Sequence, residues 1–349
     1  MVNILITSPN NQTLVGTVFS LREAFYCKLY GIDRVKNNIS THLLNESYLY
    51  PSNDEKYLNK ILKLCKKHKI QLIIPHTIKD RLLINNIKDK IEEMNIKILS
   101  SSPESIELVE DKNKFSNVCK ELKIPIPKQY VVSNKKDLKN RAKKLGYPNK
   151  KVIVKPVKSR GSRGFRILDE NVDGKSIFYT ENQGNNKTTL NALIEILGDE
   201  FPELIIAEYL PGKEYTIDCV RHDNVFFAIP RLRKEVKMGL TFEGKIERNE
   251  LLIKYAKKMS KRMGLTSVFG FQFKEDEDGV YKAIDCNPRI QGTMIMSALA
   301  GANVIGISAK SLLGKTIKEP EIDWDMSFTR LWNGLGVGEK KRHICIDIQ

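Results

Sequence analysis

The stretch VFGFQFKEDEDGVYKAIDCNPR, residues 268–289, decides how this chain is read. Two apolar runs, Val268–Phe273 and Val280–Asn287, flank Asp278-Gly279, a dipeptide suited to the tight turn of a β-hairpin. Successive side chains of a strand point to opposite faces. Strict alternation puts Tyr281, Ala283, Asp285 and Asn287 on one face, and Val280, Lys282, Ile284 and Cys286 on the other. On the partner strand Gln272 shares a face with Val268 and Gly270, while Phe269, Phe271 and Phe273 point the opposite way. The hairpin thus converges a carboxylate and two amides. Mg²⁺ prefers hard oxygen ligands from one or two carboxylates together with substrate phosphates, and Asp285 and Asn287 at i, i+2 offer such oxygens. Pro288 ends the strand and leaves Arg289 beside them. A polar strand end is also a common surface feature, so the hairpin alone leaves both readings open.

Outward from the hairpin, Glu250–Met263 reads as a helix, with Leu252, Tyr255, Ala256, Met259 and Met263 on one face and Gly264 as its stop. Leu204–Tyr209 is a strand before a Pro211-Gly212 turn, and residues 174–200 read as a polar, helix-bearing insertion. Lys151–Pro156 and Phe165–Leu168 are strands around a glycine-rich turn. Asp111–Lys123 is helical and stops at Pro125 and Pro127. At the N-terminus, strand Asn3–Thr7, a helix through Val18, Leu21 and Phe25, helix Asp54–Lys69 and strand Gln71–Ile74 alternate, which implies a parallel α/β sheet. The expected layout is an α/β unit over 1–105 and an α+β unit over 106–330 with antiparallel sheets. The second unit divides into lobes at about 125–205 and 206–330, and a tail of undecided structure follows over 331–349.

The 349 residues are 41% hydrophobic and 29% charged, the balance of a globular protein with real cores. The longest apolar stretch, Met294–Ala309, is broken by Ser297, Asn303 and glycines, so a membrane helix is not expected. No signal-peptide pattern opens the chain, and the six cysteines form no CxxC pair, which fits reduced thiols and a cytoplasmic location. The net charge of +16 has two readings, phosphate affinity or solvated lysines. Most lysines lie on helix faces and no arginine-and-aromatic stripe is present, so nucleic acid is the disfavoured partner. Two near misses are dismissed. Ser8–Gln12 after the first strand lacks GxGxxG, and Gly314-Lys315-Thr316 lacks the P-loop glycine, since Ala309 stands in its place.

Two further elements carry chemistry. Lys155-Pro156 precedes Ser159-Arg160-Gly161-Ser162-Arg163-Gly164, where glycines let backbone N–H groups approach anionic oxygens and arginine adds a fork of donors. An ordinary basic hairpin loop has the same composition. In Glu208-Tyr209-Leu210-Pro211-Gly212-Lys213-Glu214, two glutamates flank a turn and could accept from an adenine amino group and from ribose hydroxyls; two solvated glutamates are the plain alternative.

Taken together, EDKNKF (110–115), VIVKPVKSRGSRGF (152–165), IIAEYLPGKEYTIDC (205–219), FGFQF (269–273) and IDCNPRIQGT (284–293) resemble, in order and spacing, the ATP-grasp superfamily, especially its carbamoyl-phosphate synthase large-subunit-like branch. The resemblance covers about residues 1–330. It implies that Lys112 and Lys155 contact ATP, and that the loop carrying Ser162, Arg163 and Gly164 closes over the phosphates. It places adenine at Glu208 and the Leu210 backbone, and ribose at Glu214. It assigns Mg²⁺, with Mn²⁺ as the alternative, to Gln272, Asp285 and Asn287. Arg289 would stabilise the transferring phosphoryl group and Arg231 the acyl phosphate. One departure is Asp285, where the family has Glu; the carboxylate is kept on a shorter stem, so one metal is expected to be held less tightly. Cys286 replaces an apolar residue and reads as core.

The implied activity is phosphorylation of a small-molecule carboxylate followed by attack of an amine, releasing ADP and phosphate. The alternatives are phosphorylation of bicarbonate or carbamate, and a non-catalytic nucleotide or nucleic-acid binder. No membrane partner is expected, and a homodimer is compatible with the chain.

Overall fold

The computed structural model describes residues 1–35, 42–158, 164–175, 179, 186–237, 239–331, 334–337 and 342–345. The N-terminal strands β1 (Val2–Thr7), β2 (Cys27–Asp33), β3 (Glu46–Leu49), β4 (Leu72–Pro75) and β5 (Lys97–Ile98) form a sheet in the order β3-β2-β1-β4-β5. Every pairing in it is parallel, as the strand–helix alternation requires. Helices α1 (Leu14–Ala24), α2 (Asp54–His68), α3 (Ile78–Asn85) and α4 (Lys88–Glu93) accompany it. Helix α2 shows why the sequence was readable: Asn53 caps it, Lys69 closes it in the left-handed region, and Tyr57, Leu58, Ile61, Leu64 and Cys65 bury one face.

The helix expected over Asp111–Lys123 is present, and a separate helix precedes it. Helix α5 (Pro103–Glu110) starts at Ser102-Pro103, and α6 (Lys112–Glu121) starts afresh because the Asp111 carboxylate accepts from the backbone N–H groups of Asn113 and Lys114. A second sheet follows, in the order β6-β10-β7-β8-β9, from β6 (Gln129–Asn134), β7 (Val152–Pro156), β8 (Arg166–Leu168), β9 (Lys187–Thr188) and β10 (Glu200–Glu208). Helices α7 (Lys135–Lys144) and α8 (Leu190–Leu197) cover one face, packing Leu138, Ala142, Leu193 and Ile194 against Val152, Val154, Leu204 and Ile206.

The third sheet has six strands in the order β15-β14-β11-β12-β13-β16. They are β11 (Glu214–His222), β12 (Val225–Lys237), β13 (Leu240–Ile246), β14 (Ser267–Glu275), β15 (Tyr281–Asn287) and β16 (Ser327–Thr329), all antiparallel. The expected hairpin is β14–β15, turning at Gly279 with φ +76°. One face is sealed by α6 and α9 (Glu250–Arg262), with Phe269, Phe271 and Phe273 against Phe115, Leu252, Ala256 and Met259. At its far end the other face, through Val220, Ile229 and Val268, joins a core shared with Ile4, Ile6 and Val18 of the N-terminal unit and with Met296 of α10 (Ile295–Leu299) and Val304 of α11 (Val304–Leu312). The undecided tail carries a hairpin of β17 (Gly334–Val337) and β18 (Arg342–Cys345). The basic run Arg231–Lys237 lies within β12, and Gly314 follows the end of α11 at φ +63°, as expected of a helix stop.

No helix among the described residues is long and apolar enough to cross a membrane. The five cysteines with described side chains are free thiols.

Candidate active site

Directly opposed residues in an antiparallel sheet share a face. The pairings of β12, β11, β14 and β15 therefore define rows across the sheet. One row is Ile229, Asp218, Gly270 and Asn287; the next is Arg231, Thr216, Gln272 and Asp285; the third is Arg233, Glu214, Lys274 and Lys282. Five predicted site residues and four further charged ones thus stand on the face opposite the phenylalanine core.

The expected alternation of β15 needs correction. The pairing slips between Gln272 and Phe273: Gln272 opposes Asp285, whereas Phe273 opposes Ala283, leaving Ile284 as an extra residue. This bulge turns Ala283 into the core beside Cys286 and brings Lys282 onto the face of Asp285, the reverse of the strict two-residue period. Asp285 and Asn287 keep their expected common face with Gln272. Cys286 is core, as expected, and burial raises its thiol pKa far above the ordinary value.

The bulged carbonyl has a partner in the second sheet. Lys155 of β7 donates from Nζ to the Ile284 oxygen at 3.2 Å. Burial lowers its pKa, the nearby Asp285 carboxylate opposes that shift, and Lys112 adds to it. Lys112 opens α6 and is itself buried. Lys155 pairs with Ile205, and Ile153 with Ala207, so Lys155 shares its face of the second sheet with a small apolar patch of Ile153, Ile205 and Ala207. An apolar surface beside a lysine suits a flat heteroaromatic ring attached to phosphates. Sequence reading missed these three residues, although the V-I-V-K-P alternation already carries Ile153 and Lys155 on one face.

Glu208 accepts from Lys282 Nζ at 2.6 Å and from the Lys128 amide at 2.8 Å. Lys282 also reaches Asp276 at 3.0 Å. Burial alone would lower the pKa of Lys282; the two carboxylates outweigh it and the net shift is upward. Lys282 was assigned to the wrong face by the sequence and is the main omission from the site. Leu210 is buried next to this turn. Glu214 pairs with Arg233, and with Lys274 at 3.5 Å.

Arg231 is 1% exposed and grips Asp218 with two bonds of 2.6 and 2.9 Å; Asp218 also accepts from Ser297 Oγ at 2.6 Å. Its Nη1 has no hydrogen-bond partner. The side chain is thus anchored from below with one nitrogen in reserve. Arg289 donates to the Ile290 oxygen at 3.0 Å and to Asn287 Oδ1 at 3.4 Å. Gly270 leaves space over the sheet, because a Cβ there would lie 2.1 Å from Gln291 Nε2. Gly164 has φ +72°, and a Cβ would come within 2.8 Å of Pro156, so only glycine fits at this end of the loop. Ser162 and Arg163 lie outside the described residues.

The donor set fits a divalent cation of the Mg²⁺ kind only when phosphate completes it. Asp285 supplies one carboxylate and Gln272 and Asn287 supply amide oxygens on the same face. No group of three His, Cys, Asp or Glu side chains among the described residues could hold a metal without help. Incomplete protein coordination finished by substrate phosphates is the habit of Mg²⁺.

Comparisons with known proteins agree with this architecture. A family described as ATP-grasp in the biosynthetic pathway with Ter operon matches residues 200–331, and one described as sugar-transfer associated ATP-grasp matches 94–198. The carbamoyl phosphate synthase large chain of Clostridium acetobutylicum is 26% identical over 317 residues, 87% of this chain and 28% of that one. This chain thus spans less than a third of the length of that relative. The biotin carboxylase domain of Hydrogenobacter thermophilus 2-oxoglutarate carboxylase, solved with MgADP, ADP and bicarbonate, superposes with a TM-score of 0.68 at 16% identity, covering 91% of this chain and 70% of that one. The L-amino acid ligase of Bacillus licheniformis superposes at 0.62 with 14% identity, covering 92% and 75%. Residues 94–198 and 200–331 thus each match an ATP-grasp family. The chain is similar in sequence to the large chain of carbamoyl phosphate synthase.

Proposed function

We propose that this protein is a Mg²⁺-dependent ligase that phosphorylates a small-molecule carboxylate with ATP and joins the acyl group to an amine. The observation that carries the reading is the bond from Lys155 to the bulged Ile284 carbonyl, because it seats a phosphate-binding cation of one sheet beside Asp285, Gln272 and Asn287 of another. Similarity to an L-amino acid ligase and to a MgADP-bound carboxylase domain supports the same reading.

The chain's own residues divide the work. Ile153, Ile205 and Ala207 would hold the adenine face, while Glu208 meets its amino group and Glu214 the ribose. Lys155 and Lys112 hold the phosphate tail, and the loop ending at Gly164 excludes water from the reacting centre. Mg²⁺, held by Asp285, Asn287 and Gln272, would neutralise charge on the phosphate oxygens. A carboxylate oxygen of the acid attacks the γ-phosphorus and the bond to the β-phosphate oxygen breaks, giving an acyl phosphate and ADP. Arg289, and Arg231 through its spare Nη1, would hold the negative oxygens of that intermediate in place. The amine then attacks the acyl carbon, phosphate leaves, and the amine proton passes to solvent. The test is ADP release from ATP and Mg²⁺ over paired acids and amines. ADP release that never depends on an acid would sink the reading. Sequence similarity to carbamoyl phosphate synthase favours one variant, in which bicarbonate is the acid; release supported by bicarbonate alone would select it.

A further inference from the structure

Among the described residues two arginines are almost fully buried, and only one of them has an acceptor. Arg231, 1% exposed, holds Asp218 with two bonds. Arg81, on α3, is 2% exposed, and Nε, Nη1 and Nη2 all lack a hydrogen-bond partner. A buried guanidinium with no acceptor on any of its nitrogens is a costly arrangement, kept only where something else supplies the acceptors. Its surroundings offer little compensation. Asp80 attracts it from a distance, but its carboxylate is engaged by Thr7 Oγ1 at 2.9 Å and forms no ion pair with Arg81. Arg289, arriving from the end of β15, adds a second positive charge within electrostatic reach. His76 is neutral there: burial first, then Arg81 and Arg289, lower its pKa to about 3. Its ring is tied to Asn11 at 3.0 Å and Thr17 at 3.2 Å.

The topology gives this cluster a second, independent significance. In the order β3-β2-β1-β4-β5 the chain leaves β1 toward one edge and returns to add β4 on its other side. Ligands of open parallel sheets lie at the carboxyl ends of strands where the order reverses in this way. Thr7 ends β1, Pro75 ends β4, and His76, Asp80 and Arg81 follow β4 directly. That crevice faces Arg289, one of the residues proposed for the phosphoryl group.

We infer that Arg81, backed by Arg289 across the β1–β4 crevice, forms a subsite for an oxyanion, a carboxylate or phosphate, carried by the non-nucleotide substrate. This rests on the ligase reading above and extends it from the nucleotide to its partner. The subsite fixes the second substrate by two parallel N–H···O bonds from the fork of Arg81. It also gives the unsatisfied charge its acceptors, so the empty protein bears a strain that binding relieves.

The experiment uses the full chain, Arg81→Met and Arg81→Lys, each titrated with sodium acetate or inorganic phosphate at constant ionic strength, with and without saturating MgADP. Melting temperature and calorimetry are the readouts. Wild type is expected to gain about 2 °C at tenfold the dissociation constant of whichever anion fits. The acetate and phosphate arms tell which oxyanion the subsite takes. Arg81→Met should melt no lower than wild type in anion-free buffer and show no gain with anion, because Met removes the unpaired charge while keeping the volume. Arg81→Lys, which keeps the charge without the fork, should retain a weakened response. Equal responses in wild type and Arg81→Met would overturn the inference, as would no response in wild type. So would a melting temperature several degrees lower in Arg81→Met that Arg81→Lys restores, since that marks a structural cation. MgADP binding is read separately: its absence beside an intact anion response would sink the ligase reading instead.

Discussion

The two faces of the six-stranded sheet are built from the same strands and differ in almost everything else. On one, Phe269, Phe271 and Phe273 are fully enclosed by α6 and α9. On the other, Arg231, Gln272, Asp285, Glu214 and Lys282 stand in rows, and much of their hydrogen bonding comes from residues far away in sequence. The comparison teaches that the core face fixes where the strands lie and so makes the charged face affordable. A row of like and unlike charges does not hold a register by itself, since desolvation offsets much of what buried pairs gain. The aromatic side holds it for them.

Substitutions on the two faces should therefore separate stability from chemistry. The largest expected effect is on the charged face. Asp285→Ala should lower turnover by about three orders of magnitude, because it removes the carboxylate proposed to hold the metal, while leaving the melting temperature near wild type. Acid-dependent ADP release measures it, and full activity would remove Asp285 from the site. Phe271→Ala should do the reverse, costing about 3–5 kcal/mol of unfolding free energy in denaturant titration. The residual folded enzyme should keep its ATP KM. If both variants lost stability equally, the division between the faces would be wrong.

Glu208→Ala comes next, with the ATP KM raised roughly tenfold and little change in kcat, as expected for one charge-assisted hydrogen bond. Lys282→Met should copy part of that effect, because Lys282 holds the Glu208 carboxylate at 2.6 Å. An unchanged KM in both would place adenine elsewhere. The smallest effect concerns pH. Burial holds the pKa of Lys155 below the ordinary lysine value, so its charge is lost earlier than that of a surface lysine as pH rises. ATP affinity should fall across that window. Apo stability should move the opposite way: the unfolded chain binds the proton more tightly there, so Lys155 destabilises the fold below its folded pKa and ceases to do so as pH approaches about 10.4. Lys155→Met should flatten both trends.

Much of this was legible beforehand. The hairpin around Asp278-Gly279, the helix over Glu250–Met263 and the capped helix from Asn53 carry local signals: a turn dipeptide, a spacing and a cap. The long strands β11 to β13 were not read, because their outward positions bear so many charges that Arg231–Lys237 reads as a basic stretch for an anionic acid and not as part of a strand. Their inward residues Tyr215, Ile217, Cys219 and Leu232 have to be seen against Phe269 and Phe271 before the alternation makes sense. The face of Lys282 was misread for a different reason, the extra residue Ile284, which two-residue counting does not allow for.

By itself the sequence determined which residue types stand near one another along the chain: Gln272, Asp285 and Asn287 at a strand end, Lys155 before a glycine loop, two glutamates around a turn. Strand alternation, caps and turn residues act over a few residues, so they survive in a linear reading. Only the tertiary structure decided that Lys155 meets the Ile284 carbonyl 129 residues later, that Lys282 meets Glu208 across 74, and that Arg231 grips a carboxylate while Arg81 has no acceptor. Burial and partnership belong to pairs of distant segments, and their register is set by which apolar faces exclude water together.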